Sequence, residues 1–188
     1  MAIAYGNGQF VAAGSHTSSD GVSWSHSGSD YGGAHGITFG EGVFVGVGMD
    51  GITWSTNGTN WIHGTLIPPV TTRLVQGVAH GNGRFVAVGG PTRVLTSPDG
   101  STWTPREVNI EQYVRSVAYG AGRFVATAEN ALLISSNGLD WKTKLDGRFA
   151  NIIYRGAALL PLPMTSSPPP MASIGSIILL VQRNRCRA

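Results

Sequence analysis

Short apolar runs punctuated by glycine-containing turns follow one another along roughly the first 145 residues. The run RFVAVG beginning at Arg84 alternates with period two, so Phe85 and Ala87 point to one face and Val86 and Val88 to the other; both faces are apolar. A strand apolar on both faces has to be covered on both. Between runs stand pairs such as Asn7-Gly8 and Asn82-Gly83, which supply the positive φ angles that tight hairpins demand. No stretch before residue 145 carries the period of a helix, and the pattern predicts strands joined by tight turns.

The pattern repeats. YGNGQFVAAG begins at Tyr5, FGEGVFVGVG at Phe39, HGNGRFVAVG at His80 and YGAGRFVATA at Tyr119. Each is followed by a second motif: SSDGVSW from Ser18, STNGTNW from Ser55, SPDGSTW from Ser97 and SSNGLDW from Ser135. The closing residues Trp24, Trp61, Trp103 and Trp141 lie 37, 42 and 38 residues apart, and Phe10, Phe44, Phe85 and Phe124 lie 34, 41 and 39 apart. One unit is therefore about forty residues, with four apolar runs and three tight connections. A four-stranded unit stacked between neighbours covers both faces of its strands, as a propeller blade does. The expected fold is all-β: a β-propeller-like array of about four four-stranded blades, an open or incomplete ring, followed by an irregular C-terminal tail. The units fall at roughly 1–27, 28–66, 67–107 and 108–147, and a degenerate fifth begins at 148.

In the second motif Asp20, Asn57, Asp99 and Asn137 are placed to accept hydrogen bonds from the backbone of their own turns, and Ser18, Ser55, Ser97 and Ser135 to cap the same loops. Gly21, Gly58, Gly100 and Gly138 take the conformation that bulkier residues resist. Trp24, Trp61, Trp103 and Trp141 fall on the outgoing strand, where each can bury a large apolar area against the neighbouring blade. A calcium loop is excluded by ligand count, because calcium takes roughly six to eight oxygens and each turn offers one acid at most. A catalytic acid or base is excluded because asparagine, present in two copies, cannot transfer a proton.

Only 12% of residues are charged while glycines number 27, a balance suited to many tight turns rather than to charged helices. The net charge of +3 is supplied entirely by Arg183, Arg185 and Arg187, so residues 1 to 182 are neutral and no basic face for nucleic acid is expected. Cys186 is the single cysteine, which excludes an intramolecular disulfide and a cysteine-rich zinc site. No basic-then-apolar leader opens the chain, since MAIAYGNGQFVAAG reads as strand, turn and strand; the compartment stays open.

These motifs resemble the BNR or Asp-box β-propellers, which include sialidases and photosystem assembly factors. The resemblance covers residues 1 to about 145, although the usual box has one more residue between acid and glycine than SPDGSTW has. It implies that the box joins the third and fourth strands of a blade, away from the ligand site, so Ser97, Asp99, Gly100 and Trp103 serve stability. It also implies a set to look for: three arginines that clamp a carboxylate, a tyrosine nucleophile paired with a glutamate, and an aspartate acid-base. Arg73, Arg93, Arg106, Arg115, Arg123, Tyr113 and Glu111 are present, but no arginine motif of that family precedes the first repeat. A non-catalytic repeat scaffold or binding module is therefore expected ahead of a sialidase-type glycoside hydrolase.

Other chemistry is sparse. His16, His26, His35, His63 and His80 lack metal-ligand spacing, and His80 takes the repeat position of Tyr5, Phe39 and Tyr119. GNG and GAG are hairpin turns rather than phosphate loops, because no helix follows them. Arg84 and Arg123 read as solvated hairpin-turn residues. No cofactor or metal is expected. Loops from successive blades are the better ligand positions: Asp50, Arg93 and Glu129 before third strands, and Arg106, Glu107, Glu111, Tyr113 and Arg115 between blades. Partners at that loop face would be protein or carbohydrate.

After Asp146 there is no acid, histidine or tryptophan, and five of the ten prolines fall between Pro161 and Pro170. ANIIYRGA begins a fifth repeat and loses it, and the apolar run in IGSIILLV is far shorter than the ~20 residues of a spanning helix. The genetic code gives a reason. Met171 is always ATG and Ala172 always begins GC, so a frame starting on each third base reads GGC, glycine, across that junction. The same frame reads Asp, Asn, Tyr or His just before it, Trp or Arg across Ile174 and Gly175, and allows serine into each of Pro168, Pro169 and Pro170. The string S-S-D-G-x-N-W fits, with its tryptophan 34 residues beyond Trp141, and AALLPLPMTS can read A-F-A-V-A-D-D-F. A frameshift near residue 157 is expected. At the other end Met1 falls inside a first strand, and the first unit has 10 residues from Phe10 to Asp20 against 13, 14 and 13 elsewhere, so its third strand is curtailed.

Overall fold

A computed structural model describes residues 2–12, 16–26, 34–49, 51–69, 74–89, 93–108, 113–146, 151–154, 173–174 and 177–180; at 34, 93, 145–146 and from 151 onward it describes the backbone alone. The first sheet holds β1 (Ile3–Gly6), β2 (Gln9–Ala12), β3 (His16–Ser18) and β4 (Ser25–His26), and the second holds β5 (Ala34–Gly40), β6 (Val43–Gly48), β7 (Gly51–Ser55) and β8 (Ile62–His63). After a short strand β9 (Thr65–Leu66), the third holds β10 (Val75–Gly81), β11 (Arg84–Gly89), β12 (Arg93–Ser97) and β13 (Thr102–Glu107). The fourth holds β14 (Val114–Gly120), β15 (Arg123–Ala128), β16 (Ala131–Ser135) and β17 (Lys142–Asp146). Each is an antiparallel meander in chain order, and the described residues include no helix.

The hairpin between first and second strands has the same geometry in every blade. Its two central residues both take positive φ: Asn7 and Gly8 at 48° and 76°, Glu41 and Gly42 at 47° and 78°, Asn82 and Gly83 at 50° and 64°, Ala121 and Gly122 at 49° and 74°. That is the turn whose twist matches the strands it joins. It fixes the register so that an aromatic closing the first strand lies opposite the phenylalanine of the second. The pairs Tyr5–Phe10, Phe39–Phe44, His80–Phe85 and Tyr119–Phe124 follow, with ring centroids 4.7, 4.8, 4.6 and 4.7 Å apart.

The two apolar faces of each second strand are buried between successive blades. Val86 and Val88 pack with Phe124, Ala126 and Leu133 of the fourth blade, while Phe85, Ala87, Leu95 and Trp103 pack with Val43, Val45 and Val47 of the second. First strands also meet first strands: β1 lies against β5, β5 against β10 and β10 against β14. There the aromatic of one blade sits on the glycine that ends the first strand of the blade before it. A Cβ at Gly6, Gly40 or Gly81 would overlap the ring of Phe39, His80 or Tyr119 respectively.

Three features were not expected from the sequence. β9 leaves the second blade and pairs in parallel with the outer strand of the third, Thr65 opposite Thr102 and Leu66 opposite Trp103. The Thr65 and Ile67 N–H groups donate to the Ser101 and Trp103 carbonyls at 2.8 and 2.9 Å, covering an otherwise unpaired edge. Arg84 is not a solvated turn residue: it opens β11, is half-buried, and its stem lies 3.3 Å from where a Cβ on Gly138 would stand. In the tail, β18 (Asn151–Tyr154), β19 (Ser173–Ile174) and β20 (Ile177–Leu180) form a three-stranded sheet in the order β18-β20-β19.

Two glycines with opposite surroundings test this account. Gly81→Ala forces a methyl into the Tyr119 ring and is expected to cost about 3 kcal/mol, whereas Gly83, at φ 64° with nothing within 4 Å of a new Cβ, carries only the left-handed penalty. Gly83→Ala should therefore cost about 1 kcal/mol. Urea unfolding of both variants measures the difference, and equal losses would remove the ring-on-glycine seat from the account.

Candidate functional site

The four Ser-to-Trp turns share one hydrogen-bond pattern. The Asp20 Oδ1 accepts from the Val22 and Ser23 N–H groups at 2.8 and 2.7 Å, and the Asp99 Oδ1 from Ser101 and Thr102 at 2.9 and 3.0 Å. Asn57 Oδ1 does the same to Thr59 and Asn60 at 3.1 and 2.9 Å, and Asn137 Oδ1 to Leu139 and Asp140 at 2.9 and 3.0 Å. Ser18, Ser55, Ser97 and Ser135 donate to that same oxygen at 2.9, 3.0, 3.0 and 3.1 Å. Because the turn needs one acceptor oxygen, a carboxylate or an amide can fill the place.

The glycine and tryptophan close each loop. Gly21, Gly100 and Gly138 donate their N–H to the Ser18, Ser97 and Ser135 hydroxyls, each at 2.8 Å. The indole N–H groups of Trp24, Trp61, Trp103 and Trp141 donate to the carbonyls of Gly21, Gly58, Gly100 and Gly138 at 3.2, 3.1, 2.9 and 3.1 Å. Burial differs between copies. Trp103 is fully buried, Trp61 and Trp141 are half-buried, and Trp24 is 38% exposed, so the area expected against a neighbour is complete only in the third blade. Of the four, only Trp103 lies within the outgoing strand; the others stand just before it.

Two carboxyls are shifted by this geometry. N–H bonds from Ser23 and Val22, with the Ser18 hydroxyl, hold Asp20 at about 2, well below its ordinary 3.8. Burial opposes ionisation of Asp99, but N–H bonds from Thr102 and Ser101, with the Ser97 hydroxyl, outweigh it and keep that carboxyl low as well. Both acids are engaged as acceptors for their own turns. Neither is a free proton donor near neutral pH.

In an antiparallel four-stranded blade these turns and the first hairpins lie at one end, and the second-to-third connections and links between blades lie at the other. Of the loop positions singled out from the sequence, Tyr113, Arg115 and Glu129 come together at that second end. Glu129 donates its N–H to the Tyr113 carbonyl at 3.1 Å, and Arg115 Nη2 stands 3.9 Å from Glu129 Oε1, with side chains 47% and 53% exposed. Tyr113 is 44% exposed beside them. Arg106 is half-buried and its Nε donates to Thr96 Oγ1 at 3.1 Å. Arg93 lies directly opposite Glu107 across β12 and β13. Asp50, Arg73 and Glu111 fall outside the described residues.

The opposite end carries contacts between blades that the sequence did not announce. Asn7 Nδ2 donates to the Gly42 and Thr56 carbonyls at 3.1 and 3.0 Å, Gln9 Nε2 to Asn57 O at 2.6 Å, and Asn82 Nδ2 to Ser136 O at 3.5 Å. Glu41 meets the His80 Nε2 at 3.1 Å. The recurring Asn-Gly turn was the available signal, but it reads locally as hairpin chemistry alone. Among the described residues no group of three or more His, Cys, Asp or Glu could hold a metal ion, and no helix is long and apolar enough to cross a membrane.

No protein-family model matches the chain, and no curated protein matches it. Solved structures do. One titled as YCF48 bound to D1 peptide matches at a TM-score of 0.57 and 16% identity over 81% of this chain and 56% of that one. The extracellular domain of a putative hybrid two-component system, BT4673 from B. thetaiotaomicron, matches at 0.64 and 13% over 82% of this chain and 24% of that one. An ancestral GH74 enzyme matches at 0.55 and 17% over 74% and 23%. These neighbours are β-propeller proteins, and the chain shares their fold. It spans from under a quarter to just over half of their lengths.

The shifted carboxyls set an acid response. Asp20 binds a proton more readily unfolded, near 3.8, than folded, near 2, so its contribution is present above about pH 4 and is lost as pH falls through about 2. Asp99 acts in the same direction. The double variant Asp20→Asn, Asp99→Asn, which copies the amide of the other two turns, should show a shallower fall of Tm between pH 4 and pH 2 than the parent. An unchanged slope in thermal scans would mean that these turns are not where the acid sensitivity lies.

Proposed function

We propose that the chain is a non-catalytic repeat scaffold of the Asp-box kind, with one repeat domain over residues 1–147, and that its loop face binds a segment of another protein. The observation that carries this is the grouping of an exposed aromatic, a cation and an anion at Tyr113, Arg115 and Glu129, outside the repeated motif. The repeated residues are spent on holding turns closed. The loop residues vary from blade to blade, and an exposed pair such as Arg115 and Glu129 contributes little to stability. A rim of aromatic and arginine side chains is the composition that interfaces favour. A propeller of this fold, YCF48, is solved with a peptide, which supports a peptide segment over a carbohydrate.

The sialidase-type alternative needs Arg73, Arg93 and Arg115 to converge on a carboxylate, with Tyr113 and Glu111 as nucleophile and partner. Of these only the Arg115 and Tyr113 side chains are described, and Arg115 is turned to Glu129.

The two readings separate in one set of measurements on the full chain. A random peptide display library and a glycan array supply the binding probes, and a fluorogenic sialoside supplies the catalytic one. Selected peptides should lose at least about tenfold in affinity on Tyr113→Ala or Arg115→Ala, while unfolding free energy changes by less than about 0.5 kcal/mol. Selected peptides indifferent to both changes would sink the loop-face assignment; sialoside turnover abolished by Arg115→Ala would replace the scaffold with the enzyme.

A further inference from the structure

At three successive interfaces the Ser-to-Trp turn of one blade seats on the second strand of the blade before it. A Cβ on Gly58 would stand 2.5 Å from Val11 and 3.3 Å from Gln9, one on Gly100 2.8 Å from Val45 and 3.0 Å from Val43, and one on Gly138 2.8 Å from Val86 and 3.3 Å from Arg84. These three glycines are buried, whereas Gly21 of the first blade meets only its own Phe10 and is exposed. Side chains of the earlier blade then donate to carbonyls of the seated turn, Asn7 to Thr56, Gln9 to Asn57 and Asn82 to Ser136. The seat therefore selects a turn with glycine at one position and exposed backbone carbonyls beside it.

The fourth blade repeats part of such a seat: its valine, Val125, is already fully buried, while the outer part beside it is open. Arg123 opens β15 as Gln9, Val43 and Arg84 open or begin the second strands before it, and it is exposed. Beside it runs a groove of about 440 Å³ walled by Ile134, Ser136, Asp140 and Lys142. The neighbouring first-strand place is taken: β18 lies against β14 as β14 lies against β10, with Tyr154 at the repeat position of Phe39, His80 and Tyr119. Beyond β18 the order breaks. The strand paired with β18 is β20, from residues 177–180, so it comes after the place where the turn should follow.

We propose that this groove is the seat of a fifth Ser-to-Trp turn, and that the turn is spelled by the alternative reading frame across Pro168 to Gly175. That frame places an obligatory glycine, from Met171 and Ala172, at the position where the three earlier seats admit no Cβ. Asp or Asn can precede it and Trp can close it, as in every seated copy. The inference rests on the packing between blades and is independent of what the loop face binds.

The coding DNA is the first test. It should carry serine or a small residue, then Asp or Asn, Gly and Trp in the shifted frame, with no stop between codons 157 and 175; arginine at the Ile174 and Gly175 junction, or a stop, overturns the proposal. One nucleotide inserted at codon 157 moves translation into that frame. The resulting chain should melt at least about 5 °C higher than the present one, and Arg123 should react at least about threefold more slowly with phenylglyoxal. A second variant, with residues 155–188 replaced by a copy of residues 120–147, supplies a turn already known to this array and should protect Arg123 equally. Arg123 left fully reactive in both variants overturns the seat. So does a present chain that sediments as a dimer and becomes a monomer on Arg123→Glu, since a second copy would then fill the groove.

Discussion

The seat of an aromatic ring on a glycine of the preceding blade is the contact on which the array depends. Gly6, Gly40 and Gly81 leave room that any side chain would fill, and Phe39, His80 and Tyr119 occupy it. The glycine follows directly on the blade's own aromatic, so each Tyr-Gly, Phe-Gly or His-Gly pair gives a ring to one neighbour and a hollow to the other. The ring also stacks on the phenylalanine opposite it, within 4.8 Å. A rigid hairpin with two positive-φ residues fixes that cross-strand pair. The spacing between blades is thereby coupled to the geometry inside each blade.

The Ser-to-Trp turn adds a second contact of the same polarity. Its own serine, acid or amide and indole bond to one another and to the turn's backbone. What it offers outward is a bare glycine and backbone carbonyls. The preceding blade answers with a valine and, in two places, an asparagine. The acid is exchangeable for its amide because both present the same acceptor oxygen to the turn, while the glycine is constant because the seat leaves no room for a Cβ.

How much of this is legible in the sequence follows from what is local. Hairpin type, the alternation of Phe85, Val86, Ala87 and Val88, and the self-satisfied turn all depend on residues within a few positions of each other, and periodicity exposes them. The contacts between blades depend on how one sheet is set against the next. Arg84 therefore reads as a turn residue although its stem covers Gly138, and Asn82 as a hairpin former although it reaches Ser136. The recurrence of glycine after Tyr5, Phe39, His80 and Tyr119 was visible, but only the packed blades show what the space is for. At the loop face no repeat guides the eye. Tyr113 and Arg115 read as inter-blade loop positions and Glu129 as a position before a third strand, and only the fold brings the three to one place.

Both contacts run one way along the chain, so burial differs with position in the array. A blade with neighbours on each side receives a ring on its glycine, places its own ring on another, seats its turn and carries the next. The second and third blades have all four, and Phe44, Val45, Phe85 and Val86 are fully buried there; Trp103 is fully buried where Trp61 is half-buried because the β9 strap runs beside it. The first blade has no described predecessor beneath its turn; Tyr5 stays 58% exposed, and Ile3 and Trp24, 56% and 38% exposed, line an apolar hollow of about 290 Å³. In a nearest-neighbour array, stability is the sum of such interface terms. Identical motifs are therefore held unequally: the turn at Asp20 depends on its own hydrogen bonds, whereas the turn at Asp99 is also clamped between Val45 and the strap at Thr65.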